Sequence, residues 1–143
     1  MEKKNIAVGI IGAGGFIGQE HLKRLTKRID GAAVTALYDI NKEKTDALAA
    51  EYGAKSMESV DALIASDKVD AIVITAWDGV HAEVTNKAIA AGKPVFCEKP
   101  LATTKEDIAR ICEAVNRNQV RCMVDLHNRW NPPFNTAKQE ISS

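Results

Sequence analysis

Residues 6–18 read Ile6-Ala7-Val8-Gly9-Ile10-Ile11-Gly12-Ala13-Gly14-Gly15-Phe16-Ile17-Gly18. The first six form a continuous apolar run without a helical stripe, the pattern of a parallel strand covered on both faces. Glycines then interrupt the run, and Gly18, Leu22, Leu25 and Ile29 recur on one helical face. Strand, glycine-rich turn and amphipathic helix in that order open a βαβ unit.

Outward from this unit the alternation continues. Residues 34–39 predict a second strand ending at an acid, and Asn41 can cap a helix with Thr45, Leu48, Ala49 and Tyr52 inside and Gly53 at its end. Residues 54–57 read as an irregular strand, and Val60, Leu63 and Ile64 as a brief helix. Residues 70–74 are a further buried strand; a helix over 80–91 stops at Gly92 with Pro94 beyond. Residues 94–97 are strand-like. Thr104 and Asp107 resemble a capping box ahead of a helix with Ile108, Ile111, Cys112 and Val115 inside, and 121–126 form the last strand. The fold class is therefore α/β, a doubly wound parallel sheet with right-handed crossovers, in one domain over residues 1–126. Ligands of such sheets bind beyond the carboxyl ends of the strands, at the switch point.

In the first turn, Gly12 would permit a tight bend and Gly14 a close approach of a pyrophosphate to the backbone. The helix that follows, through Gly15, Phe16 and Ile17, offers free N–H groups and a positive dipole end to phosphate oxygens. The spacing departs from G-x-G-x-x-G by one residue: Ile17 stands at the third small position, and Gly18 is expected to restore close helix–strand packing. Asp39 ends the second strand about 20 residues beyond the glycines, where an acid accepts the ribose hydroxyls of NAD and repels a 2′-phosphate. No arginine immediately follows it. The expectation is a Rossmann fold that takes NAD rather than NADP.

Composition narrows the rest. The chain has 143 residues, with 19 basic and 19 acidic side chains in balance, so no net field draws it to nucleic acid or an anionic membrane. No apolar run approaches the roughly 18 residues a bilayer span needs, and no signal-peptide pattern opens the chain, so a cytoplasmic protein is expected. Cys97, Cys112 and Cys122 lack paired metal-ligand spacing and are odd in number; they read as small buried core residues, and no metal site is expected.

Two further segments follow strands: Thr75-Ala76-Trp77-Asp78-Gly79-Val80-His81 and Cys97-Glu98-Lys99-Pro100-Leu101-Ala102. With the glycine loop, the Glu98-Lys99-Pro100 triplet after Gly-Lys-Pro-Val-Phe-Cys, and His127-Asn128-Arg129-Trp130-Asn131-Pro132, the chain resembles the glucose–fructose oxidoreductase and inositol dehydrogenase (Gfo/Idh/MocA) family over nearly its whole length. The resemblance implies hydride transfer between a nicotinamide ring and a hydroxyl-bearing carbon of a sugar, polyol or cyclitol. It puts Lys99 beside the ring and the reacting hydroxyl, as the catalytic residue that shares in proton transfer. Glu98 would border nicotinamide and ribose, and Pro100 would fix the turn that aims Lys99, a peptide often cis in the family. His81 would help shape the cofactor pocket. Thr75, Ala76 and Trp77 would line the nicotinamide ribose by backbone contacts, although the family commonly carries a Thr-Pro-Asn-like run there. Arg129 matches the second arginine of the family's Asn-Arg-Arg segment and would either touch cofactor or substrate or pair with an acid.

Family members run to more than twice this length. Their second half, an α/β domain, usually supplies an Asp, a His, most of the substrate pocket and the oligomer interface. The expectation is that this C-terminal substrate domain is absent, that residues 127–143 begin the connection to it, and that the chain binds dinucleotide without turnover. In the full-length protein the partners would be a sugar-like small molecule and further copies in a homo-oligomer. Two other readings stay open: a non-catalytic NAD(H)-binding sensor module, and an NAD-using glycosidase or an imine- or biliverdin-type reductase on the same scaffold.

Overall fold

The structure, a computed structural model, describes residues 5–142. Six strands lie in one sheet: β1 (Ile6–Ile11), β2 (Ala32–Tyr38), β3 (Lys55–Ser56), β4 (Ala71–Ile74), β5 (Val95–Cys97) and β6 (Cys122–Val124). Their spatial order is β3-β2-β1-β4-β5-β6, with every pair parallel. The chain winds outward from β1 to one edge, then crosses back to β4 and winds to the other. The switch point therefore lies between β1 and β4.

Helices α1 (Phe16–Lys27), α2 (Lys42–Tyr52), α3 (Val60–Ala65), α4 (His81–Ala90) and α5 (Lys105–Asn118) form the crossovers. Short 3-10 turns at Asp78–Val80 and His127–Trp130 precede α4 and α6 (Pro132–Ser142). Successive strand residues serve opposite faces, which divides the core in two. Ile11, Ile72, Ile74, Leu63, Ile89 and Ile111 pack on one side; Val8, Ile10, Val73, Leu22 and Leu37 pack on the other. Each such fully buried side chain contributes about 1.5–3 kcal/mol relative to exposure.

Local chemistry sets the ends of the elements. Asn41 caps α2 by accepting from the Lys44 N–H at 3.0 Å, and Gly53 closes it in the left-handed region at φ 69°. Ser59 caps α3 through the Ala62 N–H. Gly92, at φ 72°, follows α4.

Several expectations need correction. Ile29 lies beyond the end of α1 and is exposed, because the helix stops at Lys27. Ile6 is also exposed; it is the first residue of β1, at the rim of the sheet. The inner face of α5 is Ile111 and Ala114, with Val115 half-buried, whereas Ile108 and Cys112 face solvent. This helix leans on α4 with a narrower stripe than its apolar residues suggest. Thr104 accepts from the Asp107 N–H at 3.1 Å, but its hydroxyl then donates to the Asp107 carboxylate. Aspartate thus bonds the cap's hydroxyl, where a capping-box glutamate would reach back to the cap's N–H. Of the three cysteines only Cys97 is buried; Cys122 is half-buried and Cys112 exposed.

Candidate functional site

The glycine loop is pinned from three sides. The N–H groups of Gly12 and Ala13 both donate to the Tyr38 carbonyl, at 2.8 and 3.2 Å. The Thr75 hydroxyl donates to the Gly12 carbonyl at 3.0 Å, and the Gln19 side-chain amide donates to the Gly14 carbonyl at 3.0 Å. Gly12 sits at φ 89°, and a Cβ there would run into the backbone of Thr75 and Ala76. Gly18 packs so closely that a Cβ would strike the Gly12 carbonyl. The displaced glycine thus restores the tight helix–strand contact.

Gly14 plays a different part from the one expected. Its N–H donates to Asp39 Oδ2 at 2.8 Å, and a Cβ would lie 2.9 Å from the Asp39 carboxyl carbon. Gly14 is buried beneath Asp39, and Gly15 is the exposed glycine that faces the cleft. Asp39 Oδ1 also accepts from the Asn41 N–H at 3.0 Å. A carboxylate has about four acceptor positions. Two are used here to aim the group, which leaves capacity for hydroxyls.

Helix α1 begins at Phe16 with no side-chain cap and no acid in its first turn, whereas α2 and α5 have both. Its first i→i−4 bond runs from the Gln19 N–H to Gly15. The preceding N–H groups and the positive dipole end point out past the glycine loop, a fit for phosphate oxygens.

Two clefts meet over the switch point. The first, about 550 Å³, is lined by Gly12, Gly15, Asp39, Ile40, Thr75, Ala76 and Trp77, among others. The second, about 460 Å³, holds Phe16, Ile17, His21, His81, Glu98, Lys99 and Asp125. Thr75 and Ala76 line both. Trp77 is largely exposed and lays its ring over Gly79, where any Cβ would collide with it.

His81 is 1% exposed. Its Nδ1 lies 2.7 Å from the Pro100 carbonyl and its Nε2 2.8 Å from the Ala76 carbonyl. One ring therefore joins the Ala76 wall to the turn that carries Lys99. The Lys99–Pro100 peptide is cis. Lys99 itself is exposed at the cleft margin.

In the lining of the second cleft, His21 Nε2 donates to Glu98 Oε1 at 3.0 Å and lies 3.9 Å from Asp125 Oδ2. Glu98 Oε2 accepts the Lys99 N–H at 3.2 Å. Burial pushes the Glu98 carboxyl up. The His21 hydrogen bond, the Lys99 N–H, the His21 charge and a hydrogen bond from Asp125 together outweigh it and hold the group below its ordinary value. Asp125 is held above the usual carboxylate range by burial, by the Glu98 charge and by donating to Glu98.

The fold thus gathers Gly12, Gly15, Asp39, Thr75, Ala76 and Trp77 around one cleft, and Phe16, Ile17, Thr75, Ala76, His81, Glu98 and Lys99 around the other. Pro100 stands behind the second cleft, offering its carbonyl to His81. Arg129 lies outside both, exposed on the His127–Trp130 turn. Sequence reasoning missed His21 and Asp125. Asp125 carries the same signal as Asp39, an acid directly after a parallel strand. His21 stands four residues after Ile17, one turn along the same face of α1.

A glycine loop, an uncapped helix end and paired clefts at the switch point define a dinucleotide-binding Rossmann domain. Residues 6–126 match the family described as "Oxidoreductase family, NAD-binding Rossmann fold" (GFO_IDH_MocA), and the chain belongs to that family. It is 40% identical to inositol 2-dehydrogenase 3 of Saccharopolyspora erythraea over 139 residues, covering 96% of this chain and 41% of that protein. It is 49% identical to an inositol 2-dehydrogenase of Klebsiella pneumoniae over 113 residues, covering 77% of this chain and 33% of the relative. Among solved structures, scyllo-inositol dehydrogenase from Lactobacillus casei with bound NAD(H) and scyllo-inositol superposes with a TM-score of 0.88 at 26% identity, covering 97% of this chain and 41% of that one. The chain therefore spans about two fifths or less of the length of these relatives.

Proposed function

We propose that this chain is the cofactor-binding part of an NAD-dependent oxidoreductase that moves hydride to or from a hydroxyl-bearing carbon of a cyclitol, polyol or sugar. The observation that carries this reading is the pair of clefts meeting at Thr75 and Ala76, with Asp39 in one and Lys99 in the other. Asp39 in the first cleft would accept the ribose hydroxyls of the adenosine half, Gly15, Phe16 and Ile17 would receive the pyrophosphate, and the second cleft would hold the nicotinamide. Kinship with inositol dehydrogenases supports a cyclitol as the substrate class.

When bound, the nicotinamide ring supplies the hydride acceptor. Lys99 takes up the proton of the hydroxyl being oxidised, and Glu98 holds the Lys99 backbone N–H so that the lysine points into the cleft. His81 keeps the Ala76 wall and the Pro100 turn at a fixed separation. Residues 127–143 lead on to the substrate-binding half, and the 143 residues alone bind dinucleotide without turnover.

Calorimetric titration with NAD and, separately, NADP tests the reading. Binding of NAD at least tenfold tighter than NADP is expected, because Asp39 meets the 2′-phosphate with like charge. Preference for NADP overturns the role of Asp39; failure of either to bind overturns the site. Brisk oxidation of inositols or sugars by these residues alone overturns the need for a second half.

A further inference from the structure

Three side chains from three separate elements converge on the second cleft: His21 from α1, Glu98 after β5 and Asp125 after β6. Their candidate ligand atoms all lie within 4.8 Å of one another, and their side chains are only 13–19% exposed. The His21 ring is held edge-on against Phe96, with centroids 5.5 Å apart. Such convergence is costly for two carboxylates unless protons or cations offset their repulsion.

We propose that His21, Glu98 and Asp125 form a proton-holding wall that distinguishes the oxidised from the reduced nicotinamide ring. The inference rests on the placement of the ring in the second cleft under the preceding reading. An oxidised ring carries one positive charge and a reduced ring none. A wall with two carboxylates and one imidazole can hold fewer protons against the cation and more against the neutral ring. Affinity for the two forms is then linked to pH, and the linkage is reciprocal.

A metal ion is the competing use of the same atoms. The 3.0 Å hydrogen bond between His21 and Glu98 favours a proton, because it already joins two of the three atoms directly. The remaining charged or titratable groups around this cleft are Glu20 and Arg24 on α1, Asp78 before α4, His81, Lys99 and His127. Arg24 lies 3.9 Å from the Glu20 carboxylate on the same helix.

The experiment measures Kd of the 143-residue chain for NAD, NADH and ADP-ribose between pH 5.5 and 8.5. The ratio of NADH to NAD dissociation constants should rise with pH, by up to about tenfold per unit, the limit for one linked proton. Binding of ADP-ribose, which lacks the ring, should stay level. Asp125→Asn should weaken NAD relative to NADH several-fold above pH 7 and flatten the profile. His21→Gln, which keeps a donor for Glu98, should flatten it without changing ADP-ribose binding. A ratio independent of pH, with all three ligands bound, overturns the wall and leaves the dinucleotide reading intact. Absence of binding by all three overturns both. Micromolar Zn2+ binding that excludes NADH and is lost in Asp125→Asn overturns the proton assignment in favour of a metal site.

Discussion

Gly18 shows how one hydrogen atom in place of a methyl group decides whether α1 can sit on β1. Its missing Cβ would strike the Gly12 carbonyl and lie 2.9 Å from the Ala13 Cα, and neither backbone atom can yield. Gly18→Ala should cost about 2–3 kcal/mol or more in urea unfolding. Gly31 has open space around it and only its φ of 84° to defend, so Gly31→Ala should cost about 1 kcal/mol. Equal losses at both positions would contradict the packing account. This residue was legible in the sequence because a glycine run between a buried strand and an amphipathic helix has few other uses. The task of Gly14 was not legible: it depends on an aspartate 25 positions away folding back over the loop. His21 was hidden for a similar reason. A lone histidine on a helix carries no signal until β5 and β6 bring two carboxylates to it.

At the scale of elements, the helices divide by how they begin. Asn41, Ser59 and Thr104 close α2, α3 and α5 with their own oxygens, while α1 and α4, both beside the clefts, have no side-chain cap. Asn41→Ala should therefore lower stability by about 1 kcal/mol, or roughly 3 °C in a thermal melt, and leave dinucleotide affinity unchanged. A fall in affinity with no loss of stability would mean that α2 serves the site directly. The strands were readable as apolar runs, and the caps of α2 and α5 from side-chain type. The inner face of α5 was not, because Ile108, Cys112 and Val115 fit helical spacing as well as Ile111 and Ala114 do. Only the position of α4 decides which stripe is covered. The apolar pattern reports what can be buried, and the neighbour reports what is.

For the molecule as a whole, the thiols offer a graded record of unfolding. Cys97 lies at the end of β5, one strand in from the sheet edge, with no exposure, and burial pushes its thiol up to about 12. Cys122 is also raised by burial, and Cys112 is open to solvent on α5. A thiol reagent at pH 8 should label Cys112 at once, Cys122 more slowly and Cys97 only at the rate of global opening. Prompt labelling of Cys97 in the native chain would show that the sheet opens locally at β5. The doubly wound order itself was legible from alternation, and such an order puts ligand clefts at the carboxyl ends of the strands. The division of the groove into two clefts that share Thr75 and Ala76 was not, since it depends on how the segments after β4 and β5 pack together.

Because all six strands run the same way, the sheet has two unlike rims. One carries the glycine loop, Asp39, Thr75, Ala76, Trp77, Glu98, Lys99 and Asp125. The other is made of the turns at residues 28–31, 66–70, 91–94 and 119–121, and none of these touches either cleft. That rim is a natural handle. A fluorophore, a surface tether or a fused domain attached there would hold the chain with its working edge turned outward, and every ligand-binding measurement could be made on the immobilised protein.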